Sequence, residues 1–118
     1  MKNKLCEMYQ SWLERYNSIL DQYLNDHSFD NKKLANEVEM SERHLFRKVK
    51  ELTGLSPQRY FRKYRLHYAM EYLKKGKIKT VKGTAAAVGF LSTSYFISQF
   101  EKEFGKKPLS VLKEAGWR

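Results

Sequence analysis

Two arginines, Arg43 and Arg47, stand four residues apart in SERHLFRKVK (residues 41–50), with Phe46 between them and Lys50 beyond. A guanidinium carries paired donors that can grip the major-groove edge of guanine, worth about 1–3 kcal/mol of discrimination. On a helix that turns Leu45, Val49 and Leu52 inward, Glu42, Arg43, Phe46, Arg47 and Lys50 share the outer face. Phe46 has two open readings, contact with a thymine methyl or packing at the rim. Glu42 can accept from cytosine, but its place at a helix start favours stabilisation of that end by a negative charge. Catalysis finds no such support. The chain has no glycine-rich phosphate loop, its acidic residues are scattered along polar faces, and His27, His44 and His67 show no metal-ligand spacing with each other or with Cys6. We expect a binding protein, with no enzyme activity, no cofactor and no metal.

A second outward set follows if Phe96 and Phe100 are core: Thr93, Ser94, Tyr95, Ser98 and Gln99. The two sets sit on related stretches. Ala35, Val38 and Met40 recur as Ala85, Val88 and Phe90 at an offset of 50. Ser41, Leu45, Val49, Gly54 and Pro57 recur as Ser92, Phe96, Phe100, Gly105 and Pro108 at an offset of 51. One extra residue near Leu91 separates these groups. Insertions of one residue belong in turns, so the change of offset locates a turn between two helices in each copy. In TAAAVGFLSTSYFISQF (residues 84–100) the alanines allow close helix packing. Gly89 ends the first helix by tolerating a left-handed backbone, Phe90 plugs the corner, and Ser92 caps the second helix. Short helix, tight turn and second helix make the helix-turn-helix plan, whose second helix enters the major groove. Helical hairpins are common in bundles, and one copy alone would read that way. Two copies on a basic chain favour DNA.

These units need a frame. At 118 residues the chain is one compact unit, with only two prolines and six glycines. It has no strict apolar/polar alternation, so it reads as all-α. Seven helices are expected. The first carries Leu5, Met8, Trp12, Tyr16, Ile19, Leu20 and Tyr23 and ends near Asp26. Asp30 caps a short second helix, and Ser41 caps a third that stops at Gly54. Ser56-Pro57 starts a long fourth helix running to about Lys75. Its apolar residues spread over more than one face, which makes it central. Thr80 starts the fifth, the sixth runs from about Thr93 to Gly105, and a short seventh follows Pro108. Within a single DNA-binding domain, residues 1–118, the first subdomain spans about 11–56, the joining helix about 57–75 and the second subdomain about 76–118. The joining helix is roughly 28 Å long at about 1.5 Å per residue. Reading helices at its two ends can approach the roughly 34 Å between successive major-groove turns, so one monomer can read two half-sites in tandem.

Charge points the same way. The formal net charge is +10 and the pI about 9.7. Residues 1–30 hold three Lys/Arg against five Asp/Glu, and residues 31–118 hold twenty against eight. A basic field of this kind favours a polyanionic partner. Lys32, Lys33, Arg59, Arg62, Lys63, Lys82, Lys106 and Lys107 lie near helix starts or loops and are candidates for phosphate contact. Each taken alone reads as a solvated surface charge. No apolar run approaches the roughly 20 residues of a membrane span, and the N-terminus lacks a signal-peptide core. No membrane partner is expected. Cys6, the only cysteine, reads as a half-buried thiol and fits a cytoplasmic setting. A basic helical interaction or membrane-surface module, or a non-specific binder of nucleic acid including RNA, is the alternative.

LANEVEMSERHLFRKVKELTGLSPQRYFRKYRLHYAMEYL, followed by AAAVGFLSTSYFISQFEKEFGKKP, resembles the DNA-binding domain of the AraC/XylS family of bacterial transcription regulators. The resemblance covers about residues 11–114. Its markers are RLHYAMEYL, VGF, SYF and the closing F-x-K-x-F-G-x-x-P. It implies seven helices, two helix-turn-helix subdomains joined by a long helix, and double-stranded DNA read on one face of the duplex. It places base-contacting positions at Arg43, Phe46 and Arg47, and gives Arg65, within the RL motif, a structural hydrogen-bonding role. It leaves RNA polymerase as a candidate partner. It also implies a separate N-terminal sensor, receiver or dimerisation domain, and we expect a C-terminal fragment of a longer regulator rather than a stand-alone one. Four positions depart from the family pattern. Ser98 stands where an arginine is usual, Glu101 where a lysine is usual, and Gly83 and Thr84 where a polar helix former and a large aliphatic are usual. Gly83 inside a helix would cost about 1 kcal/mol relative to alanine. We therefore expect an asymmetric reader, with most sequence specificity in the first unit and backbone grip with weaker reading in the second.

Overall fold

The computed structural model describes residues 4–116 and contains seven helices among them. They are α1 (Lys4–Gln22), α2 (Asn31–Glu37), α3 (Glu42–Thr53), α4 (Pro57–Lys75), α5 (Val81–Ala87), α6 (Thr93–Phe104) and α7 (Pro108–Glu114). The side chains of Leu5 and Cys6 lie outside the described residues. Two compact units divide the chain. One holds α1 to α3 and α4 as far as Phe61; the other holds the rest of α4, α5 to α7, and the segment Leu24–His27.

Local chemistry sets most of the helix ends. The side chains of Asp30, Ser41, Thr80 and Ser92 each accept from the backbone N–H three residues on, filling an orphan donor of the first turn. Ser56 does the same for Arg59 at 3.3 Å, ahead of Pro57. Gly54 and Gly105 close α3 and α6 with left-handed backbones at φ 79° and 72°.

The end of α1 differs from the sequence expectation. The helix stops at Gln22, not near Asp26, and the Tyr23 N–H closes a turn onto the Leu20 carbonyl at 3.2 Å. The reason lies far along the chain. The carbonyls of Leu24 and Asp26 accept from Arg65 Nε and Nη2 at 3.1 and 2.8 Å, so they are turned to the guanidinium instead of along a helix. Met8 also departs from expectation. It is 65% exposed, and the buried stripe of α1 is carried by Tyr16 and Leu20.

In the first unit Tyr16, Leu20, Leu34, Leu45 and Val49 are almost wholly buried. Tyr16 stacks on Trp12 at 5.0 Å and tilts onto Tyr60 at 6.0 Å. Phe29 stacks on Tyr23 and meets the edge of Phe61. In the second unit α5, α6 and α7 pack on one another around Val88, Phe96, Phe100, Val111 and Leu112. Phe90, Phe96, Phe100 and Phe104 form a continuous run of ring contacts, 4.7 to 5.7 Å between centroids. Full burial of Phe96 and Phe100 contributes about 1.5–3 kcal/mol each, and that burial holds α6 in place.

Candidate nucleic-acid interface

The internal repeat holds at the level of single hydrogen bonds. Both first helices have seven residues and both second helices twelve. At the corners, Met40 N–H donates to Ala35 O at 3.0 Å, and Phe90 N–H to Ala85 O at 2.9 Å. The residue before each is left-handed, Glu39 at φ 55° and Gly89 at φ 85°. Ser41 and Ser92 accept from His44 and Tyr95 N–H, both at 3.1 Å. The extra residue of the second copy, Leu91, lies in the turn and is 80% exposed.

On α3, Leu45 and Val49 are fully buried and Leu52 is half-buried. Glu42, Arg43, Phe46, Arg47 and Lys50 are all exposed, Phe46 to 48%. Capping by Ser41 and the αL stop at Gly54 fix the length of this helix, and the two apolar anchors fix its rotation. The outer face therefore presents three cations and one aromatic ring to solvent. On α6, Phe96 and Phe100 are fully buried. Ser94, Tyr95 and Ser98 are exposed, while Thr93 and Gln99 are half-buried. This face is neutral.

The basic candidates separate into held and open groups. Lys33 Nζ donates to the Ser28 carbonyl at 3.2 Å, Lys63 pairs with Glu103 at 3.8 Å, and Lys106 pairs with Glu114 at 3.7 Å. Exposed pairs of this kind contribute about 0–1 kcal/mol, so a phosphate can displace them. Arg62 donates to the Tyr95 hydroxyl at 3.3 Å. Lys32, Arg59, Lys82 and Lys107 are exposed and make no ion pair among the described residues.

Arg65 has the structural role expected of it. Burial draws its pKa down to about 10, against an opposing pull from Asp26, which leaves it charged near neutrality. It holds Leu24 and Asp26 and also fills the space behind Gly89. A Cβ at Gly89 would lie 2.4 Å from Leu24 O and 2.8 Å from Arg65 Nε. Gly89 thus combines a left-handed backbone with a close approach, and sequence reasoning found only the first. Gly83 corrects an expectation. It is the third residue of α5, where its N–H donates to Thr80 Oγ1 at 2.9 Å and a Cβ would meet that oxygen at 2.7 Å and Ile78 Cγ2 at 3.0 Å. The glycine fits the cap; it does not weaken a helix interior. Thr84 is fully buried, and its hydroxyl donates to Thr80 O at 2.8 Å.

Among the described residues no group of three His, Cys, Asp or Glu side chains can hold a metal ion, and no helix is long and apolar enough to cross a membrane. Known proteins share this sequence and this fold. The HTH-type transcriptional activator RhaS of Escherichia coli is 32% identical over 113 residues, which is 93% of this chain and 40% of the relative. The chain thus spans about two-fifths of the length of the curated relatives it matches. An AraC-type DNA-binding-domain regulator from Chromobacterium violaceum shares the fold at TM-score 0.80 and 24% identity, covering 90% of this chain and 93% of that one. The DNA-binding domain of AdpA, a global transcriptional factor solved with a target DNA, shares it at TM-score 0.77 and 24% identity, covering 86% and 90%. A helix-turn-helix domain family model matches residues 34–114, from α2 through α7, and the chain belongs to this family, the helix-turn-helix DNA-binding domain of AraC/XylS regulators.

Proposed function

We propose that this domain regulates transcription by binding double-stranded DNA sequence-specifically, with α3 and α6 each docked in its own segment of major groove. The observation that carries the reading is the doubled unit: two second helices, each capped by serine, anchored by two buried side chains and bare on the opposite face. In this reading Arg43 and Arg47 take guanines, Phe46 abuts a thymine methyl, and Lys50 and the N-terminal Glu42 border them. On the neutral face of α6, Thr93, Ser94, Ser98 and Gln99 read weakly, with Tyr95 beside them at the DNA surface. The open cations Lys32, Arg59, Lys82 and Lys107 reach phosphates, joined by Lys33, Lys63 and Lys106 once their surface contacts yield. In the whole regulator a further domain supplies sensing or dimerisation, RNA polymerase is the downstream partner, and the working compartment is the cytoplasm.

Selection of bound duplexes from a random pool at physiological salt tests this. The expected product is a motif with two half-sites about one helical turn apart, bound about 10³-fold or more over random duplex. Affinity should fall steeply with salt. Equal binding of duplex RNA and of every DNA sequence would leave only a basic surface and defeat the proposal.

A further inference from the structure

Arg62 on α4 and Tyr95 on α6 are 33 positions apart, yet Arg62 Nη1 donates to the Tyr95 hydroxyl at 3.3 Å. Arg62 is half-buried, and Tyr95 is 46% exposed. The Tyr95 ring is seated on Phe90, 6.0 Å between centroids, and Phe90 is itself held by the core ring of Phe96. No carboxylate pairs with Arg62 among the described residues. Its neighbour Lys63, by contrast, is answered by Glu103 at 3.8 Å.

A guanidinium has five N–H donors and no acceptor, and Tyr95 occupies one of them. A phenol that accepts from arginine still has its own proton to donate. The pair is therefore a preassembled set of donors carrying one positive charge and lacking an anion. Its planar fork suits two oxygens of one phosphate, and the phenol adds a third donor beside them. Tyr95 touches Phe90 through its ring and Arg62 through its hydroxyl, contacts that favour this position over one turned toward base edges. We infer that Arg62 and Tyr95 form a single clamp for one DNA backbone phosphate, which makes Tyr95 a positioning residue of α6 and not a reader of sequence. The inference rests on the DNA-binding reading above and narrows it at one site.

The test uses the full chain and a duplex chosen from the random pool, with affinity measured by fluorescence anisotropy over a salt series. Tyr95→Phe removes the hydroxyl alone and should weaken binding about three- to tenfold, by the same factor on every single-base variant of the duplex. Arg62→Ala should weaken it further and lower the salt slope by about one. The double variant should bind within about twofold of Arg62→Ala, because the phenol loses its partner with the arginine. Arg62→Lys should restore the slope but not the dependence on the hydroxyl. A neutral methylphosphonate at the clamped phosphate should make Tyr95→Phe and the parent chain bind alike. Losses that multiply in the double variant, or a Tyr95→Phe loss confined to one base position, would overturn the clamp while leaving DNA binding intact. Failure of the parent chain to prefer any duplex would instead overturn the underlying reading. Matching thermal unfolding of the variants confirms that binding, not folding, is being compared.

Discussion

The two helix-turn-helix units share a hydrogen-bond plan and differ in what surrounds it. Both corners need one left-handed residue, and one unit uses Glu39 where the other uses Gly89. A left-handed backbone costs a non-glycine residue about 1–2 kcal/mol, which the first unit tolerates. The second cannot, because the space a Cβ would fill is taken by Leu24 O and Arg65 Nε. The turn itself therefore does not demand glycine; the Leu24 carbonyl and the guanidinium behind it do. Gly89→Ala should cost on the order of 3 kcal/mol or more, combining backbone strain with displacement of a buried hydrogen-bonded charge. Glu39→Gly should be neutral or stabilising by up to about 1 kcal/mol. Denaturant midpoints of the two variants measure the contrast, and similar small shifts for both would remove the distinction.

That contrast shows which parts of the molecule are legible in sequence. The caps were readable because each is a bond to a residue three positions away, so Asp30, Ser41, Thr80 and Ser92 carry their own evidence in type and spacing. The buried anchors Leu45, Val49, Phe96 and Phe100 were readable from helical period, and the turn at Leu91 from the change of offset. The end of α1 was not, since Arg65 fixes it from about forty positions on. Gly83 was misjudged for a related reason. Its propensity is a property of the residue, but its use here depends on Thr80 Oγ1 and Ile78 Cγ2 lying where a Cβ would go. The Arg62–Tyr95 bond is equally hidden: the sequence offers the two residues as separate candidates for DNA contact, and only the fold joins them.

The outer faces differ in charge as the cores do not. The α3 face presents Arg43, Arg47 and Lys50, and the α6 face presents no charge among Thr93, Ser94, Tyr95, Ser98 and Gln99. If the first unit carries most of the specificity, Arg47→Ala should cost about 1–3 kcal/mol of binding and relax the preference at one base pair. Ser98→Ala should cost less than about 1 kcal/mol, as loss of a single neutral hydrogen bond. Ser98→Arg should raise affinity and steepen the salt dependence by about one. These are read by titrating the selected duplex and its single-base variants. A larger loss from Ser98→Ala than from Arg47→Ala would reverse the assignment of the leading half.

The smallest contrast lies inside the cores, between two buried hydroxyls. Thr84 in the second unit is fully buried and gives its proton to Thr80 O at 2.8 Å. Tyr16 in the first is 1% exposed, and its hydroxyl has no hydrogen-bond partner among the described residues. Burial, with the nearby Tyr60 adding to it, pushes the Tyr16 phenol well above its ordinary pKa, so it remains neutral across the accessible pH range. A buried hydroxyl without a partner costs desolvation and returns little, whereas a bonded one contributes about 0.5–1.5 kcal/mol. Thr84→Val should therefore lose about 1 kcal/mol, although valine is the more apolar side chain. Tyr16→Phe keeps the stack on Trp12 and should be neutral or stabilising by up to about 1 kcal/mol. Urea unfolding of the two variants compares them directly. A destabilised Tyr16→Phe would mean that the hydroxyl is satisfied in solution, and the first unit would then hold a polar core contact equivalent to that of the second.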